Sequence, residues 1–209
     1  MGCRSKRWRG GSVAALVLVT ALGTGATQSA AQSDALPPNV LIIITDDQRA
    51  SGTLDVMPRT MRWFAQDGTL FANALATTPT CCPSRASVMT GLYAHNHGVQ
   101  TSERGQAEEM EQQLTMQRYL HLEGYRTGIF GKYLNAWPPQ TPPPWFDEWA
   151  ILSDSARNGY LGGRWNVQGE LRQLRRYSTR VIEDRALDFI ANAETDDAQP
   201  WLLYLSPQS

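Results

Sequence analysis

The amino-acid sequence predicts an α/β domain in which a largely parallel β-sheet is flanked by helices. Residues 39–45 form a continuous β-branched run without alternation, which is typical of a strand buried on both faces. Residues 125–130 and 201–205 are two further predicted strands. Helical segments lie between these runs, and strands that alternate with helices favour a parallel sheet covered on both faces.

The first 31 residues are predicted to be a signal peptide. Four basic residues stand before residue 10, and no acidic residue precedes Asp34. The apolar stretch 13–22 is too short to span a membrane, and the small residues 29–31 suit a cleavage site. We therefore expect cleavage after Ala31 and a secreted or periplasmic protein without a membrane span.

Residues 32–209 would then form a single domain. Their 178 residues are enough for a hydrophobic core, and removal of the four basic residues leaves 15 Lys+Arg against 20 Asp+Glu, a net charge of −5. Such a chain has no overall affinity for nucleic acid. The basic stretch 164–180 is a local exception that would suit a polyanion such as a sulfated glycan, although a charge run is more typical of a solvated face.

The elements between the first two strands are assigned from caps and turn residues. Residues 58–66 are predicted to be a short helix, and residues 68–74 a turn leading into a further strand. Residues 115–123 are predicted to be a helix with Thr115 as its cap, and Gly124 is expected to end it.

The last third of the chain holds a loop, a helix and a strand. Residues 137–145 are rich in proline and are predicted to be a surface loop. Apolar residues recur on one stripe of residues 177–193, which predicts an amphipathic helix. The strand 201–205 follows this helix.

Polar residues follow two of the predicted strands. Asp46 and Asp47 come directly after the first strand, and Lys132 follows the strand 125–130. In parallel sheets, ligands bind beyond the carboxyl ends of the strands. Adjacent carboxylates repel each other unless a cation or proton joins them, and hard divalent cations take oxygen ligands. Two alternatives to a ligand site stay open. Without this context, the acidic pair is more typical of an exposed turn, and the lysine of a solvated side chain.

The run Thr80-Cys81-Cys82-Pro83-Ser84-Arg85 places a thiol just ahead of a predicted helix start. Pro83 suits the first helical position, and a helix N-terminus offers free N–H groups to an anion. Arg85, one turn further on, adds a fork of donors. The pattern predicts a nucleophile aimed at an anion, whereas cysteines without this context would more often be small buried hydrophobic residues.

This run resembles the C-x-P-S-R signature of the type I sulfatases. Residues 86–93 and 124–132 continue the resemblance, which extends from about residue 39 to the end of the chain. It implies the alkaline-phosphatase/sulfatase-like fold, and it implies that a formylglycine-generating maturation enzyme converts Cys81 into an aldehyde. By the same resemblance, Asp46 and Asp47 would bind Ca²⁺, or another hard divalent cation, together with the modified Cys81. Arg85 would orient the aldehyde hydrate, and Lys132 would bind the sulfate or assist the leaving oxygen.

Within the family, the chain resembles the N-acetylglucosamine-6-sulfatase-like branch. Many sulfatases have a histidine where this chain has Leu134, whereas the run 131–135, the paired cysteines and the run 95–97 point to that branch. His95 and His97 are more typical of a loop-packing pair than of a metal site, because a hard cation prefers oxygen. His97 is kept as a candidate substrate contact at the border of the pocket.

The resemblance implies a sulfuric ester hydrolase that acts on sulfated amino sugars or glycosaminoglycans. Sulfatases complete the site with a histidine, a lysine and an Asp-Asn pair far downstream, so this chain is expected to be a truncated, N-terminal portion of the catalytic domain. Two alternatives remain open at this stage. One is a phosphonate or phosphate ester hydrolase of the same superfamily, and the other is an inactive fragment.

Overall fold

The computed structural model describes residues 36–153 and 160–208, and the predicted signal peptide lies outside these residues. One six-stranded sheet organises this part of the chain, in the order β1-β6-β2-β3-β4-β5. The strands are β1 (Val40–Ile43), β2 (Arg126–Gly131), β3 (Glu148–Leu152), β4 (Arg164–Val167), β5 (Glu170–Gln173) and β6 (Trp201–Ser206). The helices are α1 (Pro58–Thr60, continued by a π-helical turn over Met61–Gln66), α2 (Cys81–Thr90), α3 (Ala94–His97), α4 (Met116–Leu122) and α5 (Ser178–Ala193).

The parallel part of the sheet confirms the predicted fold class. β1, β6, β2 and β3 pair in parallel, whereas β3, β4 and β5 pair antiparallel. A two-residue turn joins β4 to β5, and both Gln168 and Gly169 adopt positive φ, as this kind of tight hairpin requires. The sequence prediction missed β3, β4 and β5, which extend the sheet on the side away from β1.

Two local predictions differ from the structure. β1 lies at the edge of the sheet, so Leu41 and Ile43 are 41% and 46% exposed and the strand is not buried on both faces. The strand expected after the turn 68–74 is absent from the described residues, and Phe71 in this turn is 76% exposed. β6 is an internal strand, because it pairs with β1 on one side and with β2 on the other.

Apolar side chains cover both faces of the sheet. On one face, α2 packs over Ile129 and Tyr204. On the other, α5 buries a stripe of apolar residues against β2 and β6, with Phe189 completely inaccessible to solvent. The predicted amphipathic helix 177–193 is therefore confirmed. Among the described residues, no helix is both long enough and apolar enough to cross a membrane.

Turn glycines end two of the elements that lead to the candidate site. Gly124 follows α4 with φ +87° and its N–H bonds to the carbonyl of His121, as predicted for a helix terminator. Gly131 ends β2 with φ +112°, where a side chain would collide with the backbone carbonyl of Ser206 on β6. Only a glycine allows β2 and β6 to approach this closely just before Lys132.

We expect Gly131→Ala to lower the free energy of unfolding by about 3 kcal/mol, because it combines a strained backbone with a clash against another strand. Urea unfolding of residues 36–209 measures this change. Gly124→Ala is the matched control, since Gly124 has a similar positive φ and no neighbouring atom within 4 Å of the added carbon. Equal losses of stability in the two variants would contradict the proposed strand contact.

Candidate active site

The carboxyl ends of three parallel strands bring polar residues together. Asp46 follows β1, Lys132 follows β2 and Ser206 ends β6. The backbone fixes this alignment, because the Asp46 N–H donates to the Pro207 carbonyl over 3.1 Å and the Lys132 N–H donates to the Ser206 carbonyl over 2.9 Å. The predicted position of Asp46 and Lys132 at one edge of the sheet is thus observed.

The helix that carries the cysteines begins beside this edge, because Cys81 lines the same cavity as Asp46. α2 starts at Cys81, and the extended backbone of Thr80 forms its N-cap. The helix therefore starts two residues earlier than the sequence suggested, which puts Pro83 at the third helical position. A proline is still accommodated there, because the N–H groups of a first helical turn have no partner within the helix.

The two adjacent cysteines lie in different environments. Cys81 is half-buried and lines a cavity of about 290 Å³ together with Asp46 and Asp47. Cys82 is completely buried, and burial raises the pKa of its thiol to about 11. The interpretation as a small buried hydrophobic residue therefore describes Cys82, whereas Cys81 faces the cavity.

Three potential ligand atoms converge in this cavity. One carboxylate oxygen each from Asp46 and Asp47 and the sulfur of Cys81 lie within 4.8 Å of one another. Asp47 adopts a left-handed backbone with φ 57°, which is uncommon for a residue other than glycine and is tolerated best by Asp and Asn. Such conformations cluster at functional sites.

Two cationic side chains hold the Asp46 carboxylate. Arg85 donates to its Oδ1 over 3.1 Å, and Lys132 donates to its Oδ2 over 2.7 Å. Burial by itself would raise the pKa of Asp46, but the hydrogen bonds and charges of Lys132 and Arg85 outweigh burial and hold this pKa below its usual value. Asp46 is therefore ionised at neutral pH, although it is only 8% exposed.

Asp46, Asp47, Arg85 and Lys132 form a charged cluster at this edge of the sheet. Their charges determine which ions the cluster can bind. Arg85 and Lys132 balance the two carboxylates, so the cluster is formally neutral without a further ion. Carboxylate oxygens are the ligands that hard divalent cations prefer. A cation added to this balanced set would give the cavity a net positive charge, which would attract a tetrahedral oxyanion beside Cys81.

Ser206 and Ser102 are contacts that the sequence analysis missed. Arg85 donates to the Ser206 hydroxyl and, over 3.1 Å, to the backbone carbonyl of Lys132. Ser102 accepts a hydrogen bond from the Cys82 N–H over 3.2 Å. The polar residue at the end of the buried strand β6 was a signal for Ser206, whereas nothing local marks Ser102.

The structure places His97 apart from this cavity. The Val99 N–H donates to His97 Nδ1 over 3.2 Å, so the ring proton lies on Nε2, which donates to the Ser87 hydroxyl over 3.0 Å. Burial lowers the pKa of His97, which favours the neutral ring. These bonds join α3 to α2, as in the loop-packing interpretation, and a substrate contact by His97 stays a prediction.

The basic stretch 164–180 is largely a paired surface. Arg172 pairs with Glu170, Arg176 with Asp184 and Arg180 with Glu183, and all six side chains are exposed. Ion pairs of this kind contribute little to stability. The interpretation of this stretch as a solvated face therefore describes these three arginines.

Comparisons with known proteins show which proteins this chain resembles. The sulfatase family profile matches residues 38–209. The extracellular sulfatase SULF-1 homolog of Drosophila melanogaster is 38% identical over 160 residues, which are 74% of this chain and 14% of that protein. The N-acetylglucosamine-6-sulfatase of Homo sapiens is 31% identical over 171 residues, 73% of this chain and 31% of that enzyme.

A solved structure shares the fold. BT4656, in complex with its substrate D-glucosamine-2-N,6-O-disulfate, superposes with a TM-score of 0.66 and 27% sequence identity, over 81% of this chain and 34% of that one. The chain thus spans about a third or less of the length of these relatives. The family profile and the shared fold lead to one conclusion: the chain belongs to the sulfatase family and corresponds to its N-terminal part.

Proposed function

We propose that this chain is the nucleophile-bearing part of a sulfatase that hydrolyses sulfate esters of amino sugars or glycosaminoglycans. Cys81 would be its formylglycine precursor, and Asp46 and Asp47 would hold a divalent cation, Ca²⁺ by resemblance to the family. The observation that carries the proposal is the convergence of these three residues within 4.8 Å at the carboxyl edge of the sheet.

The residues present fit a hard divalent cation. Two carboxylates supply oxygen ligands, and an oxygen on the modified Cys81 would replace its sulfur, which is a softer ligand. A cation bound there would withdraw charge from the sulfuryl oxygens and lower the pKa of a neighbouring hydroxyl. Asp47 is the carboxylate best placed to bind it, since it accepts no hydrogen bond from the described residues.

The modification at Cys81 fits the position of this residue. A hydrated aldehyde carries two hydroxyls on one carbon. One would attack the sulfur and release the alcohol of the ester, and loss of the proton from the other would then expel sulfate and regenerate the aldehyde. Cys81 occupies the first turn of α2 and faces the cavity. The free N–H groups and the positive end of the helix dipole favour negative charge at this position.

Arg85 and Lys132 have separate roles in the proposal. Arg85 is 3% exposed and donates to Asp46, to Ser206 and to a backbone carbonyl, so it holds the strand ends and α2 in place. Lys132 is 7% exposed, and its ammonium bonds only to Asp46 among the described residues. An ammonium has three donors, so Lys132 has capacity left for an oxygen of the sulfate ester.

The substrate class is proposed from the relatives. The names of the human enzyme and of the BT4656 complex specify a 6-sulfated glucosamine as the substrate of those proteins. The run 131–135 after β2 resembles the same branch of the family. We propose that the mature protein is secreted or periplasmic after cleavage at Ala31, in line with the extracellular relative.

Maturation and turnover test the proposal directly. Coexpression with a formylglycine-generating enzyme should lower the mass of the tryptic peptide that contains Cys81, because a thiol is replaced by an aldehyde. Cys82 should be unchanged, which peptide fragmentation resolves. In the protein extended by the remainder of its sulfatase domain, 4-nitrophenyl sulfate should be hydrolysed, and Cys81→Ala should abolish turnover.

Two results would contradict this function. An unmodified Cys81 in the native host would indicate an inactive chain. Faster turnover of a 4-nitrophenyl phosphonate ester than of the sulfate would instead assign the protein to the phosphonate or phosphate ester hydrolases of the same superfamily.

Cation binding is tested best through Asp47. Asp47 is exposed, so Asp47→Asn should leave the fold intact. Loss of Asp46 would instead leave the buried charges of Arg85 and Lys132 without their carboxylate partner. We expect Ca²⁺ to raise the melting temperature of the purified chain, and we expect Asp47→Asn to weaken Ca²⁺ binding by about tenfold or more in calorimetric titrations.

Asp197→Asn serves as the matched control, because Asp197 is an exposed aspartate outside the cavity. It should bind Ca²⁺ like the unmodified sequence. A Ca²⁺ affinity that is the same in Asp47→Asn and in Asp197→Asn would contradict the proposed ligand set.

A further inference from the structure

The segment that follows α3 contacts the helix of Cys81 at two places. His97 ends α3, and its Nε2 bonds to the Ser87 hydroxyl in the last turn of α2 over 3.0 Å. Ser102 lies in the loop 98–106 that follows, and it accepts a hydrogen bond from the Cys82 N–H over 3.2 Å. The residues from His97 to Ser102 therefore connect the last turn of α2 with its first turn.

The bond at Cys82 restrains the peptide group next to Cys81. This N–H belongs to the planar peptide unit that joins the two cysteines. The N–H groups of a first helical turn have no partner within the helix, and the side chain of the N-cap residue Thr80 supplies none within the described residues. Ser102 supplies this partner, so it fixes the orientation of the peptide from which the Cys81 side chain enters the cavity.

Side chains, rather than strand or helix pairing, hold the loop 98–106 near α2. The Val99 N–H donates to His97 Nδ1 over 3.2 Å, and the N–H groups of the next two residues donate to the Gln106 side chain over 3.0 and 3.3 Å. The Val99 side chain is completely buried. Three successive peptide groups before Ser102 are thus held in place, and His97 holds the first of them.

Both bonds of His97 require a neutral ring. Its Nδ1 accepts from Val99, so the ring proton lies on Nε2 and points to Ser87. A second proton, on Nδ1, would face the Val99 N–H and remove the acceptor of that bond. Because His97 is only 3% exposed, water does not replace the lost bond unless the loop moves.

The ionisable groups around His97 do not favour its protonation. Burial lowers the pKa of His97, and the charge of the neighbouring His95 acts in the same direction. On α2, the Arg85 guanidinium bonds to the Asp46 carboxylate, and burial raises the pKa of the Cys82 thiol to about 11. The charged residues of the loop 98–106 and of the 3₁₀ turn Ala107–Glu109 are all exposed, namely Glu103, Arg104, Glu108 and Glu109. No carboxylate of these described elements is therefore buried against the ring.

We propose that His97 is a positioning residue for Cys81. Its neutral ring holds the loop 98–106 in place, Ser102 of this loop fixes the first turn of α2, and protonation of the ring loosens that turn. The inference rests on the proposed function, since the residue that is positioned is the proposed formylglycine precursor. It gives His97 a role at the site without contact with the substrate, and the site is ordered at neutral pH and less ordered in acid.

Hydrogen exchange and alkylation report on the first turn of α2 in the purified chain with unmodified Cys81. His97→Leu should lower the protection factor of the Cys82 amide about fivefold or more, because its hydrogen bond to Ser102 is weakened. The same variant should raise the rate at which iodoacetamide alkylates the half-buried Cys81. His97→Asn should keep the protection, because an asparagine oxygen accepts from the N–H two residues further on and so replaces Nδ1.

His95→Asn is the matched control. His95 is exposed and stacks on Tyr93 with ring centroids 5.9 Å apart, so its substitution should leave both readouts unchanged. Ser102→Ala removes one hydroxyl at a half-buried position and provides the test if His97→Leu does not fold. It should itself lower the Cys82 protection, and His97→Leu added to it should cause little further loss, because the two residues act in series.

The pH dependence separates this role from ordinary packing. In the unfolded chain His97 takes up a proton as the pH falls through about 6.5, whereas burial lowers the pKa of the folded ring. Stability that is present above about pH 6.5 is therefore lost below it. The melting temperature and the Cys82 protection should both fall between about pH 7 and about pH 5, and both falls should be smaller in His97→Asn, which does not titrate. The lowered pKa of Asp46 acts only below about pH 4.

Three results would overturn the inference. They are equal Cys82 protection in His97→Leu and in the unmodified chain, the full pH dependence in His97→Asn, and additive losses of protection in the double variant with Ser102→Ala. Failure of the proposed function has a different signature. In that case Cys81 stays unmodified in the native host or sulfate is not turned over, while these exchange results are unchanged.

Discussion

The buried carboxylate of Asp46 is the group on which the arrangement of this site depends. It receives hydrogen bonds from Arg85 of α2 and from Lys132 at the end of β2. A carboxylate in such surroundings needs partners to stay ionised, and loss of one partner of a buried ion pair costs about 3–5 kcal/mol. Because Asp46 itself follows β1, a single side chain joins two strands of the sheet to the helix that carries Cys81.

Neighbouring residues at this site have different roles. Asp46 accepts hydrogen bonds from Arg85 and Lys132 and would share the cation with Asp47, which is exposed, has a left-handed backbone and accepts no hydrogen bond from the described residues. Cys82 fills the core, so Cys81 is the cysteine that faces the cavity. In both pairs, one residue supports the structure and its neighbour is accessible to chemistry.

The sequence predicted those features that depend on local patterns. Asp46 and Lys132 could be placed at strand ends because each follows an apolar run, and Arg85 could be placed one turn into a helix because of its spacing from Cys81. Features that depend on contacts between distant parts of the chain could not be predicted from local patterns. The insertion of β6 between β1 and β2, and with it the contact of Ser206 with Arg85, depends on pairing between strands that are far apart in sequence. The different burial of Cys81 and Cys82 depends on tertiary packing in the same way.

The pairing of β2 with β6 has a consequence for how reliably the chain reaches its native structure. Gly131 lies opposite Ser206 in the native register. A slip of one residue would turn the side chains of β6 to the opposite faces of the sheet, and the Ser206 hydroxyl would no longer reach Arg85. Tyr204, which packs in the core beneath α2, would be displaced as well. The charged cluster and the glycine contact therefore discriminate against misregistered strands during folding, and they do so at the same sheet edge where chemistry is proposed.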